Sequence, residues 1–161
     1  MLGAERERHM CRHVASVLVL ATLLGCGDNQ DPQGAIVLWR GIHAAEYREW
    51  DRAPGFESRQ SSSAPHGGSV DIYVNDVLAD ALASGESLSE WPLDSLIVKD
   101  GFDGGDLDLV AVMEKRGDGR KTGWYFAEYD DEGDAIYSGS PDLCIDCHRA
   151  GDDFVRAFPL P

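Results

Sequence analysis

Read for hydrophobic periodicity, the chain separates into an apolar N-terminal run, one helical stretch and a series of short alternating segments. Val14 to Leu24 is apolar without a charged residue, while Gly27 to Gly34 is polar, bears Gly and Pro, and has no periodicity. Trp39, Ile42, His43, Glu46, Tyr47 and Trp50 recur at helical spacing, which predicts an amphipathic helix from Trp39 to Trp50. A loop rich in Ser, Pro and Gly follows, from Arg52 to Gly68. Val70, Ile72 and Val74 alternate with Asp71 and Tyr73, the mark of a half-buried strand. Asn75 is placed to cap a helix from Asp76 to Ser84, and Gly85 to end it. Leu96 to Lys99 predicts a short strand. Leu107 to Lys115 and Thr122 to Tyr129 flank Gly117-Asp118-Gly119, a hairpin signal. A second turn, Asp130 to Asp134, leads to a strand at Ala135 to Tyr137. No internal repeat is present. The pattern predicts one α+β domain, mainly an antiparallel sheet with helices near both ends.

The apolar run of 11 residues is too short to span a bilayer as a helix, which takes about 20. Its length suits the h-region of a secretory signal. Leu23-Leu24-Gly25-Cys26 follows and resembles a bacterial lipobox, in which the cysteine is acylated and becomes the new N-terminus. The expected organisation is a lipoprotein-type signal over 1–25, a tether over 26–35 and a folded domain over 36–161. Residues 1–9 interleave Glu5 and Glu7 with arginines and make a poor n-region. Met10, followed by Cys11, Arg12 and His13, makes a cleaner one and marks a second candidate start.

The charge picture is acidic. Removing residues 1–25 takes out Glu5, Glu7, Arg6, Arg8 and Arg12, so the net charge moves from −15 to about −16. Such a surface repels nucleic acid and anionic headgroups and attracts a basic redox partner. Any membrane attachment is then expected only through a lipid at Cys26. Of the four cysteines, Cys11 leaves with the signal and Cys26 is the lipid site, which leaves Cys144 and Cys147.

Those two stand in Cys144-Ile145-Asp146-Cys147-His148, the c-type haem attachment motif. Two thiols at this spacing reach the two vinyl groups of one haem, and the adjacent imidazole of His148 meets the iron. A thioredoxin-like C-x-x-C would sit after an early strand in a βαβ pattern, which is missing here. A zinc site would need further Cys or His ligands nearby, and none follows His148. In electron-transfer cytochromes a Met beyond the motif supplies the second axial bond. None of the residues from Arg149 to Pro161 is Met or His, and Met113 lies in a strand where a core role is expected. The iron is therefore expected to be five-coordinate, with an open face for small ligands such as nitric oxide or hydroxylamine. His43 and His66 are the histidines left that could close it, and each is read as structural. Helical cytochromes c′ also place the motif late and leave one face open, but the hairpins argue against a four-helix bundle.

Ahead of the motif come Tyr47-Arg48-Glu49-Trp50, Asp71-Ile72-Tyr73-Val74-Asn75, Leu96-Ile97-Val98-Lys99-Asp100 and Gly123-Trp124-Tyr125. In their order and spacing, and with the motif near the end, these stretches from Tyr47 to Pro161 resemble the cytochrome P-460 family, which includes cytochrome c′-beta. The resemblance implies a homodimeric, β-rich haem protein. In cytochromes P-460 a lysine is bonded to a meso carbon of the haem, and Lys99 stands at the matching position. Without the resemblance, Lys99 reads as a solvated strand-end lysine. In cytochromes c′-beta the lysine is absent and nitric oxide is bound without hydroxylamine oxidation. The family pattern also implies a distal carboxylate shortly before the motif, where Asp142 is the acid present, and a distal arginine. Asp71 sits in the region of that arginine, and Arg59 is its candidate replacement. The expected activity is oxidation of hydroxylamine or nitric oxide; the alternatives are nitric oxide binding without turnover and simple electron transfer.

Overall fold

The computed structural model describes residues 30–117, 119 and 121–161. The signal segment, the alternative start at Met10 and the lipid site at Cys26 lie outside the described residues, as does Asp118 of the hairpin turn. Among the described residues, no helix is long and apolar enough to cross a membrane.

The fold is α+β, as the periodicity predicts: one antiparallel sheet with three flanking helices. Its strands are β1 (Asp51–Arg52), β2 (Gln60–Ser61), β3 (Ser69–Val74), β4 (Leu96–Asp103), β5 (Asp106–Lys115), β6 (Trp124–Asp130) and β7 (Ala135–Gly139). They run in the order β1-β3-β4-β5-β6-β7, with β2 also paired to β3. The helices are α1 (Pro32–Ala44), α2 (Asp76–Ala83) and α3 (Asp142–His148). Asn75 caps α2 as expected, its side chain accepting from the Leu78 amide at 3.3 Å.

Two segments differ from the periodicity reading. The first helix starts at Pro32, inside the stretch read as a tether. Asp31 caps it by accepting from the Gly34 amide at 2.9 Å, and Pro32 occupies the first turn, where its missing N–H costs nothing. Gln30 and Asp31 are tied to Ser138 on β7, so the folded domain begins before residue 36. The same helix stops at Ala44 rather than Trp50. Glu46 takes a left-handed backbone (φ 48°), and Tyr47–Glu49 form a separate 3-10 turn. The Tyr47 hydroxyl holds that turn against the sheet by donating to buried Asp100 at 2.8 Å.

The second difference is β3, expected to be half-buried and found buried on both faces. The sheet is the middle of three layers. Tyr73, Val98, Val110, Val112, Tyr125 and Tyr129 pack on one side with Ala35, Leu38 and Ile42 of α1. Ile72, Val74, Ile97, Met113, Trp124 and Phe126 face the other, against α2, α3 and the C-terminal loop. Met113 thus has the core role expected of it. Alternating side chains feed both cores because each sheet face is covered.

Candidate functional site

The second of these layers holds the site. Cross-strand register sets Ile72, Lys99, Ala111 and Glu128 in one row, and residues directly opposite share a face. Ile97, Met113 and Phe126 form the neighbouring row on that same face. Above them lies α3, followed by the loop to Phe158. Between sheet and helix are two cavities that share His66, Ile72, Lys99, His148 and Arg156, and are therefore contiguous. Cys144 borders the one and Cys147 the other.

Pro141 leads directly into α3, and Asp142 is its first residue. Cys144 and Cys147 lie three residues apart on this helix, hence on one face, and both are free thiols. His148 ends the helix. Its Nδ1–H donates to the Phe154 carbonyl at 2.9 Å, which leaves Nε2 as the free lone pair. Burial pushes the His148 pKa down to about 4 against the hydrogen bond to Phe154, which raises it, and His66, Lys99 and Arg156 add to the lowering. The imidazole is neutral at physiological pH, the state a metal bond needs.

Lys99 is in mid-strand, since β4 continues to Asp103, and it faces the cavity rather than solvent. Among the described residues its amine has no ion pair, and burial lowers its pKa. Glu128 faces the same cavity and accepts from His66 Nδ1 at 2.7 Å. Arg156 lies at the mouth, donating to Cys147 Sγ at 3.1 Å.

Four of the residues expected from the sequence, Lys99, Cys144, Cys147 and His148, are brought together. Asp142 and Arg59 are not. Asp142 is exposed at the start of α3, facing Lys121 at 3.9 Å, and does not line the cavity. Arg59 donates to Asp71 at 3.0 Å and lies over the Phe102 ring. Asp71 pairs in register with Asp100, whose carboxylate meets Tyr47 and Arg48 on the α1 side, so Arg59 is engaged on the sheet face away from the cavity. Glu128 was not singled out by the sequence, although it continues the inward alternation of Trp124 and Phe126. His66 is likewise in the site, whereas His43 stacks between Trp39 and Tyr47 on the far side.

The residues present fit a covalently held haem. Two free thiols and one neutral imidazole project from a single helix over an apolar sheet face. Ala111 keeps the centre of that face shallow, and Arg156 at the mouth suits the carboxylate edge of a porphyrin. No protein-family model matches this chain, and no curated protein does.

Proposed function

We propose that this chain is a mono-haem c-type cytochrome of the P-460 kind, acting on hydroxylamine or nitric oxide as an oxidoreductase. The observation that carries the reading is the convergence of Cys144, Cys147 and the free Nε2 of His148 on two contiguous cavities between the sheet and α3. Cys144 and Cys147 would hold the haem by thioethers and His148 would bind its iron. When bound, the haem supplies an iron that takes a nitrogen ligand and exchanges electrons with it.

The chain's own groups do the rest. The face formed by Ile97, Met113 and Phe126 excludes water. Glu128 can take up protons released inside the cavity, and His66 holds its carboxylate in place. Asp142 is too far outside for that role, so the distal acid of this reading is Glu128. Electrons leave to a partner protein, which the acidic surface favours if it is basic. A homodimer, export and lipid attachment at Cys26 belong to the same reading. Cys26→Ser should move the protein from the membrane fraction to the soluble one. A mutant that stays bound at unchanged mass would rule the anchor out.

An absorption spectrum of the purified protein, with nitric oxide titrated into its ferrous form, tests the central reading. A haem Soret band that shifts on titration is expected; a protein without haem, or haem indifferent to the gas, overturns it.

Lys99 decides between the two family branches. A bond from its amine to a meso carbon exchanges one N–H and one C–H for C–N, with two protons and two electrons passed to an oxidant such as peroxide. A neutral amine is needed, and burial favours that form. Lys99→Ala should give an ordinary c-type spectrum, keep nitric oxide binding and lose hydroxylamine oxidation. If the peptide carrying Lys99 separates from the haem peptide after digestion of the unmutated protein, there is no cross-link. The protein is then a nitric oxide binder of the c′-beta kind.

A further inference from the structure

The two imidazoles at the cavity have more in common than position. The rings of His66 and His148 have centres 6.3 Å apart and are tilted by 54°. Each has its Nδ1 occupied by an acceptor: Glu128 Oε2 at 2.7 Å for His66, the Phe154 carbonyl at 2.9 Å for His148. A carboxylate or carbonyl oxygen accepts from Nδ1–H, so the neutral form of each ring carries its proton there and keeps Nε2 bare. A second ring nitrogen hydrogen-bonded to a carboxylate or backbone carbonyl is the usual arrangement around a metal-bound histidine. A metal–imidazole bond is about 2.0–2.1 Å, so two imidazoles on opposite sides of one metal have ring centres about 6 Å apart. The observed separation matches that value.

We infer that His66 is a second axial ligand of the iron, opposite His148, and that a nitrogen ligand must displace it to bind. The inference rests on the haem reading above and changes one part of it: the resting iron is six-coordinate and closed rather than open. His66 belongs to the loop between β2 and β3, not to the sheet. The base of that loop is fixed, with the Ser62 amide donating to Gly68 O and the Gly68 amide to Phe102 O, both at 2.9 Å. Gly67 has φ +98° and lies so close to the Gly101–Phe102 backbone that a side chain there would collide with it. The backbone is thus held where the ring reaches the cavity, while release of the ring needs only side-chain rotation and the loss of the Glu128 contact. Glu128 has a double consequence: it orients His66 as a ligand, and it becomes available for protons when His66 leaves.

The test uses the haem-loaded full-length protein, after a haem stain on a denaturing gel has established that haem is present. Ferric unmutated protein at neutral pH is expected to give the low-spin electron paramagnetic resonance signal of bis-imidazole iron. His66→Ala should turn it high-spin. If His66 closes the iron for 90% or more of the time, the variant should also bind nitric oxide or carbon monoxide with an apparent affinity raised about tenfold or more. Glu128→Gln, which keeps the shape but weakens the acceptor, should populate a high-spin fraction. A high-spin signal in the unmutated protein overturns the inference and leaves an open iron standing. A low-spin signal that persists in His66→Ala also overturns it, because another side chain, such as Lys99, then holds the sixth bond. A His66→Ala protein that is high-spin yet takes up neither gas supports the ligand and sinks the nitrogen-ligand function instead.

Discussion

Asp153→Ala is expected to lower the unfolding free energy by about 3–5 kcal/mol, the cost of removing one partner from a buried ion pair. Its carboxylate accepts from Lys115 Nζ at 2.8 and 2.9 Å, from the Trp91 amide at 2.8 Å and from Trp124 Nε1 at 3.4 Å. Lys115 is 3% exposed, and without Asp153 its ammonium keeps, as a charged partner among the described residues, the exposed Glu90 at 3.4 Å, beside the Trp124 ring at 5.4 Å. The loss is large against a total stability of about 5–15 kcal/mol for an ordinary domain. Asp153 and Phe154 both have left-handed backbones (φ 43° and 66°), so the pair also keeps a strained turn in place. That turn carries the Phe154 carbonyl that orients His148. Asp153→Asn tolerates the same backbone and keeps one acceptor, so its loss should be smaller. Urea unfolding followed by circular dichroism, with Lys115→Met and the double variant, checks this through a double-mutant cycle. If Asp153→Ala leaves the midpoint unchanged, or the two single losses simply add, the pair does not have this weight.

How far the site could be read from the sequence depended on the range of each signal. Cys144, Cys147 and His148 are legible because haem attachment is a local constraint, written within five consecutive residues. The strands are legible because alternation is local too, and β4, β5 and β6 lie close to where it put them, with pairing extending β4 to Asp103 and β6 starting two residues later, at Trp124. Layering is not local. Whether β3 is covered on one face or two depends on α1, and the start of α1 was hidden by the polar run before it. Asp31-Pro32, a cap followed by a first-turn proline, is the local mark of that start. Glu128 required knowing which face of β6 is inward, and the aromatic residues Trp124 and Phe126 at the same parity carry that information. His66 had no such signal. It sits in a Ser/Pro/Gly loop without periodicity, and only the tertiary path of the backbone past Gly101 brings its ring to His148. Asp142 and Arg59 are near the site along the chain, but the pleat and the helix direction put both outside the cavity.

The all-or-none expectation concerns the two thiols. A chain with Lys99→Ala, Cys144→Ser and Cys147→Ser, in which neither a thioether nor a lysine bond can form, should lose every trace of haem stain in a denaturing gel, while the unmutated chain keeps it. In a denaturing gel, ligation by His148 and apolar packing both vanish, and only a covalent bond survives. Each thiol supplies one such bond, so with Lys99→Ala in place either single cysteine variant should stain more weakly yet still stain, and only the variant lacking both thiols should be blank. The structure adds an order of events. Burial pushes the Cys144 thiol up to about 11, which leaves almost no thiolate in the folded, haem-free protein. A thiol in that state reacts slowly, whereas the same residue in an unfolded chain has an ordinary pKa. Attachment through Cys144 is therefore expected before the sheet closes over α3, and haem added to the folded, haem-free chain should be held at most through the exposed Cys147, so less of it should resist extraction. Acidified-butanone extraction of such a reconstituted sample, beside protein matured in an exporting host, separates the two histories. Should the unmutated protein from the exporting host lose its stain on denaturation, the thiols are not haem attachment sites. The motif would then need another account.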